Sequence, residues 1–166
     1  MTGGALRRVG QFWRHASARV TPEERARAER LLGPLAPLFF ELPVNDQRHG
    51  LDVLDTVARL EGRPGPLLQQ AALLHDLGKA GAHFSVVDRS LAVFLTAVSR
   101  PALNALLRSR PGFARRYTIY ADHARIGADR LRAAGAVELA AIVAEHHAVE
   151  PASEVTRHLK RADGRN

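Results

Sequence analysis

Apolar positions along the chain recur every three to four residues, and no stretch alternates with a period of two. The pattern predicts helices over 4–16, 21–32, 46–60, 66–77, 86–99, 101–109, 117–134, 136–147 and 151–163. "GPLAPLFFELP" (33–43) reads as a short helix inside an irregular connector. Thr21 is placed as an N-cap, with Pro22 at the first helical position and Glu24 completing a capping box. Gly62 to Gly65 closes one helix, and Pro101, Pro111, Gly135 and Pro151 punctuate the others. The predicted fold class is therefore all-α, a compact helical bundle. A weak break near residue 43 separates a helical lead (1–43), packed on the core, from the main domain (44–166).

Certain polar residues fall where the helical period calls for apolar ones. His49 continues into Val53, Val57 and Leu60, and His123 falls in line with Ile119 and Ile126. His146 follows Leu139, Ile142 and Val143, while His147 lies on the edge of that stripe behind Ala140 and Val143. Asp163 follows Val155 and Leu159, and "ALLHDLGKAG" (72–81) sets His75 and Asp76 directly behind core leucines. One histidine on an apolar face is ordinarily a hydrogen-bonded core residue. Five helices doing the same, with no arginine on those stripes, call for a divalent cation to supply the missing positive charge. Neighbouring helical residues diverge by roughly 100°. His75 and Asp76 thus approach an ion from different sides, or Asp76 bridges two ions through its two oxygens. Gly78 stops the helix and lets Lys79 turn across the site.

Composition narrows the metal. The chain has no cysteine, so its ligands are nitrogen and oxygen, a set that favours Mn, Fe, Co, Ni or Zn over Mg. Lack of cysteine and of a secretory h-region makes a cytoplasmic location the default expectation. "LAVFLTAV" (91–98) is too short to span a membrane and is read as a buried helix. The net charge is +7, but only Lys79 and Lys160 are lysines and aromatics make up 5%, so arginine-rich composition outweighs any argument for nucleic acid.

"DQRHGLDVL" (46–54), "AALLHDLGKAG" (71–81), "ADHARIGADRL" (121–131), "IVAEHHAVEP" (142–151) and "LKRADGRN" (159–166) resemble the HD-domain superfamily of metal-dependent phosphohydrolases. They stand in that family's order, H…HD…H…H…D, over residues 44–166, and "HDLG" resembles its HDIG variant with Leu for Ile. The resemblance implies that His49, His75, Asp76 and Asp163 hold the common metal. It further implies that His123 and His146, with His147 as the alternate for His146, serve a second, and that Lys79 lies near the substrate phosphate. Two branches are disfavoured: no Gly-Tyr-Pro signature follows, and no Glu-Asp pair follows His75-Asp76. The stretch 82–118 carries no assignable motif and is expected to cover the site and set substrate choice.

The chemistry implied is hydrolysis of a phosphomonoester or phosphodiester, a nucleotide first among small phosphorylated substrates. Hydroxide on one or two divalent transition metal ions would attack phosphorus, with Asp76 and Lys79 as the catalytic groups. Arg48 and Arg125 are candidate phosphate contacts, though surface arginines are common in so arginine-rich a chain. The alternative is a metal- and nucleotide-binding sensor without turnover, since a fold does not prove catalysis. A third reading, a nucleic-acid-binding helical protein, rests on the arginines in 7–30 and 100–116.

Overall fold

The computed structural model of the protein describes residues 19–82 and 86–166, so the predicted helix over 4–16 lies outside the described residues. Every regular element among them is helical. Thr21 caps α1 (Pro22–Leu32) with the expected reciprocal bonds to Glu24. A 3-10 turn (Gly33–Leu35) leads into α2 (Ala36–Phe40), and the long α3 follows (Val44–Glu61). Next come α4 (Pro66–Leu74), a second 3-10 turn (Leu77–Lys79), α5 (Val86–Val98), α6 (Arg100–Ser109) and α7 (Pro111–Ala121). The chain continues through α8 (His123–Ala133), α9 (Val137–Glu145) and α10 (Glu154–Asp163).

One buried cluster joins most of these. Leu32 and Phe39 pack with Leu51 and Leu54 of α3, Leu73 and Leu74 of α4, Leu131 of α8, Leu139 of α9 and Leu159 of α10. Burying such a side chain contributes about 1.5–3 kcal/mol. The helices that carry the polar stripe residues are therefore fixed by their leucines. A separate, small cluster of Ala92, Leu103 and Phe113 holds α5, α6 and α7 together. It is too small to cover α5 on both sides. Phe94 and Val98 remain 60% and 66% exposed, so the segment 91–98 is a half-exposed amphipathic helix and not the buried one expected.

Two further expectations change. The helix predicted over 66–77 stops at Leu74, which leaves His75 as its C-cap and Asp76 in the turn beyond. The single helix predicted over 117–134 is two, α7 and α8, broken at Asp122, and α7 begins as early as Pro111. No glycine or proline marks that break. Instead His123 Nδ1 reaches the Tyr120 carbonyl at 2.7 Å, in the last turn of α7.

Candidate metal centre

Backbone contact brings the first residues together. At Gly50 there is no side chain between α3 and α4: a Cβ there would lie 3.0 Å from the Leu73 carbonyl oxygen. His49 and His75 consequently meet, with their Nε2 atoms 3.3 Å apart. Asp163, the last residue of α10, places Oδ1 3.0 Å from His49 Nε2 and 3.7 Å from His75 Nε2. Asp76 sets Oδ2 3.5 Å from His75 Nε2 and 3.9 Å from His49 Nε2. Its other oxygen, Oδ1, lies 3.3 Å from His123 Nε2.

A second group adjoins the first. His123 Nε2 is 3.3 Å from His146 Nε2 and 3.0 Å from His147 Nε2. The ligand atoms of His49, His75 and Asp76 lie within 4.8 Å of one another, as do those of His123, His146 and His147. The two groups share a wall, since the His75 and His146 rings sit 5.4 Å apart in edge-to-face contact. His147 joins His146 in this group, so the structure brings both together where one was expected to substitute for the other. Among the described residues, Asp76 is the carboxylate that faces both groups, one oxygen to each.

Helix ends orient the imidazoles. A helix leaves its last carbonyls without amide donors, and three of these face a histidine. His75 Nδ1 donates to the Ala72 carbonyl at 3.0 Å, His123 Nδ1 to Tyr120 at 2.7 Å and His146 Nδ1 to Val143 at 2.7 Å. A carbonyl only accepts, so each Nδ1 carries a proton and each Nε2 is turned inward, where it presents a lone pair once the ring is neutral. His123 Nε2 and His146 Nε2 thus face each other at 3.3 Å. Both rings are buried, at 5% and 2% exposure. A divalent cation fits this donor set: it accepts inward-turned imidazole nitrogens and neutralises the Asp76 and Asp163 carboxylates.

Protonation states agree with that chemistry. Burial pushes His146 down to about 3, reinforced by the neighbouring His75, and burial likewise lowers His75 and His147. Burial alone would raise Asp76, but the adjoining His75 and the Lys79 ammonium hold it well below the usual carboxylate range. Asp163 behaves the same way, lowered chiefly by its bond to His49. His49 is opposed by burial and still raised, because Asp163 and Asp76 favour its protonated form.

These shifts predict how the metal-free protein responds to acid. An unfolded histidine takes up a proton near pH 6.5, whereas His146 does so only near 3 in the folded state. Between those values the unfolded chain binds more protons, so stability falls as pH falls. Asp76 and Asp163 add to the loss below about pH 4. His49 works in the opposite sense: its contribution is full below pH 6.5 and fades as pH rises through its folded value. Denaturation in chelator should find the protein about 2 kcal/mol less stable at pH 5 than at pH 7. Equal stability at the two values would contradict the buried neutral imidazoles.

Lys79 reaches Asp76 Oδ2 at 2.5 Å and lies 5.9 Å from the Tyr120 ring centre. The two arginines end up elsewhere. Arg48 is held by Glu24 and Asp52, and Arg125 lies on the surface beside Asp122 and Asp129. Neither is directed at the histidines. Lys160 had no assigned role in the sequence reading, yet its Nζ donates to the Ala148 carbonyl at 2.5 Å and to Val149 at 3.2 Å. That ties the segment after His147 to α10, one turn before Asp163. Its one advance signal was that this chain otherwise uses arginine almost everywhere.

No helix among the described residues is long and apolar enough to cross a membrane. Comparison with known proteins gives one match: the family model described as "Cas3, HD domain" covers residues 48–165, which takes in every histidine and aspartate of both groups. No curated protein and no solved structure matches.

Proposed function

The chain belongs to the Cas3 HD-domain family, within the HD superfamily of metal-dependent phosphohydrolase-type domains, and from that premise we propose that it hydrolyses phosphodiesters at the two histidine groups. The observation that carries this reading is Asp76, whose two oxygens face the two groups separately. His49, His75, Asp76 and Asp163 would hold one divalent ion, and Asp76, His123, His146 and His147 a second. Ions bound there supply a water of lowered pKa and polarise the phosphoryl oxygens.

The protein's own groups do the rest. The Ala72, Tyr120 and Val143 carbonyls keep three Nε2 atoms turned inward. Lys79, held on Asp76, places its ammonium where negative charge grows on the phosphoryl oxygens. Burial of Asp76, His75, His123 and His146 excludes bulk water and strengthens each of these interactions. Arg48 is already engaged by two carboxylates and is left out of substrate binding.

One feature favours a nucleic-acid strand over a free nucleotide, the substrate first expected. α7 packs against the turn that carries Lys79 and continues into His123. On α6 and α7, Arg100, Arg108, Arg110 and Arg115 are exposed and pair with no carboxylate among the described residues. Such a flank suits a run of phosphates.

The test is a manganese-loaded assay of an oligonucleotide, a dinucleotide and a nucleoside monophosphate, with wild type beside His123→Ala. The expected result is oligonucleotide cleavage with a KM that rises steeply with salt. In His123→Ala, metal content should fall from two ions per chain to one, and cleavage about a hundredfold or more. Tight nucleotide binding with no product under any metal would favour the sensor reading instead.

A further inference from the structure

Gly78 and Gly127 meet backbone to backbone between the turn that bears Asp76 and the helix that begins with His123. A Cβ on Gly78 would lie 1.9 Å from the His123 carbonyl oxygen, 2.7 Å from its carbon and 2.8 Å from the Gly127 nitrogen. A Cβ on Gly127 would lie 2.9 Å from the Gly78 nitrogen and 3.4 Å from Val143 Cγ1. Val143 is the residue whose carbonyl orients His146. The elements carrying Asp76 and His123 therefore meet with no side chain between them, and the element carrying His146 packs on the same point through Val143.

Neither glycine is there for its backbone freedom. Among the described residues, the positive-φ glycines are Gly33, Gly62, Gly81 and Gly135. Gly127 sits inside α8, where alanine is the better helix former. What a methyl group would change is distance. For a Cβ on Gly78 to reach an ordinary 3.4 Å contact, the start of α8 would have to retreat by about 1.5 Å. Asp76 Oδ1 and His123 Nε2, now 3.3 Å apart, would separate with it. His49 and Asp163 belong to α3 and α10, His75 caps α4, and none of the three takes part in this contact.

We infer that Gly78 and Gly127 are positioning residues that hold the second histidine group against Asp76, so that one carboxylate serves both groups. The inference rests on the two-group reading above. Gly78→Ala is the severe form of the test and Gly127→Ala the mild one, with Gly65→Ala as a control, since nothing lies within 4 Å of a Cβ there. The measurement is Mn(II) titration of metal-free protein, with electron paramagnetic resonance to report exchange coupling between ions.

Wild type and Gly65→Ala should take two ions and show the coupled signal. Gly127→Ala should keep its first ion within about threefold of wild-type affinity, bind the second at least tenfold more weakly and lose the coupled signal. Two ions bound by Gly127→Ala as tightly as by wild type would overturn the inference alone. So would a parallel loss of both ions, which marks general loosening. A wild type that takes one ion would overturn the two-group reading along with it.

Discussion

Asp76→Ala should abolish hydrolysis, by a factor on the order of 10³ or more, while leaving helix content almost unchanged. The size of the effect follows from how many interactions end on one carboxylate. Its Oδ2 faces His75, His49 and Lys79, and its Oδ1 faces His123. Alanine removes the carboxylate that faces both groups and leaves the Lys79 ammonium, 15% exposed, without its ion-pair partner. The fold has little reason to fail. Asp76 sits in a turn beyond α4, and the surrounding core is formed by Leu73, Leu74 and Leu77. Circular dichroism, metal analysis and product formation on one preparation check the prediction. Activity retained by Asp76→Ala, with metal still bound, would remove this residue from the mechanism.

Manganese added to metal-free protein should raise its melting temperature by about 8–16 °C, and chelator should reverse the shift. A ligand at a thousandfold its Kd stabilises the folded state by about 4 kcal/mol. For a chain of this length each kcal/mol corresponds to about 2–4 °C. The physical source is the crowding of buried imidazole nitrogens, with His123 Nε2 and His146 Nε2 3.3 Å apart, and the buried charge of Asp76. All are costs in the metal-free protein that an ion removes. Magnesium, which prefers oxygen ligands, should shift the melting temperature far less. Scanning calorimetry decides the matter. No shift with any transition metal would mean that the histidines are merely hydrogen-bonded core residues.

Much of this centre was legible from helical periodicity alone. His49 does stand on the inward stripe of α3, and the apolar residues behind His75, His146, His147 and Asp163 do pack into one cluster, whereas Ile119 and Ile126, in line with His123, are not part of it. What periodicity misjudged was where helices end. His75 and His146 are C-caps and His123 opens a helix, so their directions are set by terminal carbonyls. A carbonyl has no residue identity, and nothing in the order of side chains announces which one will accept from an imidazole. The break at Asp122 was hidden for the same reason. Gly127 was visible as an isolated glycine inside a helical pattern, a signal of close approach whose partner only the fold could supply. Arg48 illustrates the reverse error: adjacency to His49 suggested a role, but Glu24 and Asp52 claim its guanidinium.

The placement of the two lysines has a practical consequence. A lysine-specific protease finds only two cleavable bonds in this sequence, after Lys79 and after Lys160. One follows the residue clamped on Asp76, the other the residue clamped on the carbonyls behind His147. Digestion is therefore a reporter confined to the centre, and the order in which the two cuts appear would show which half opens first.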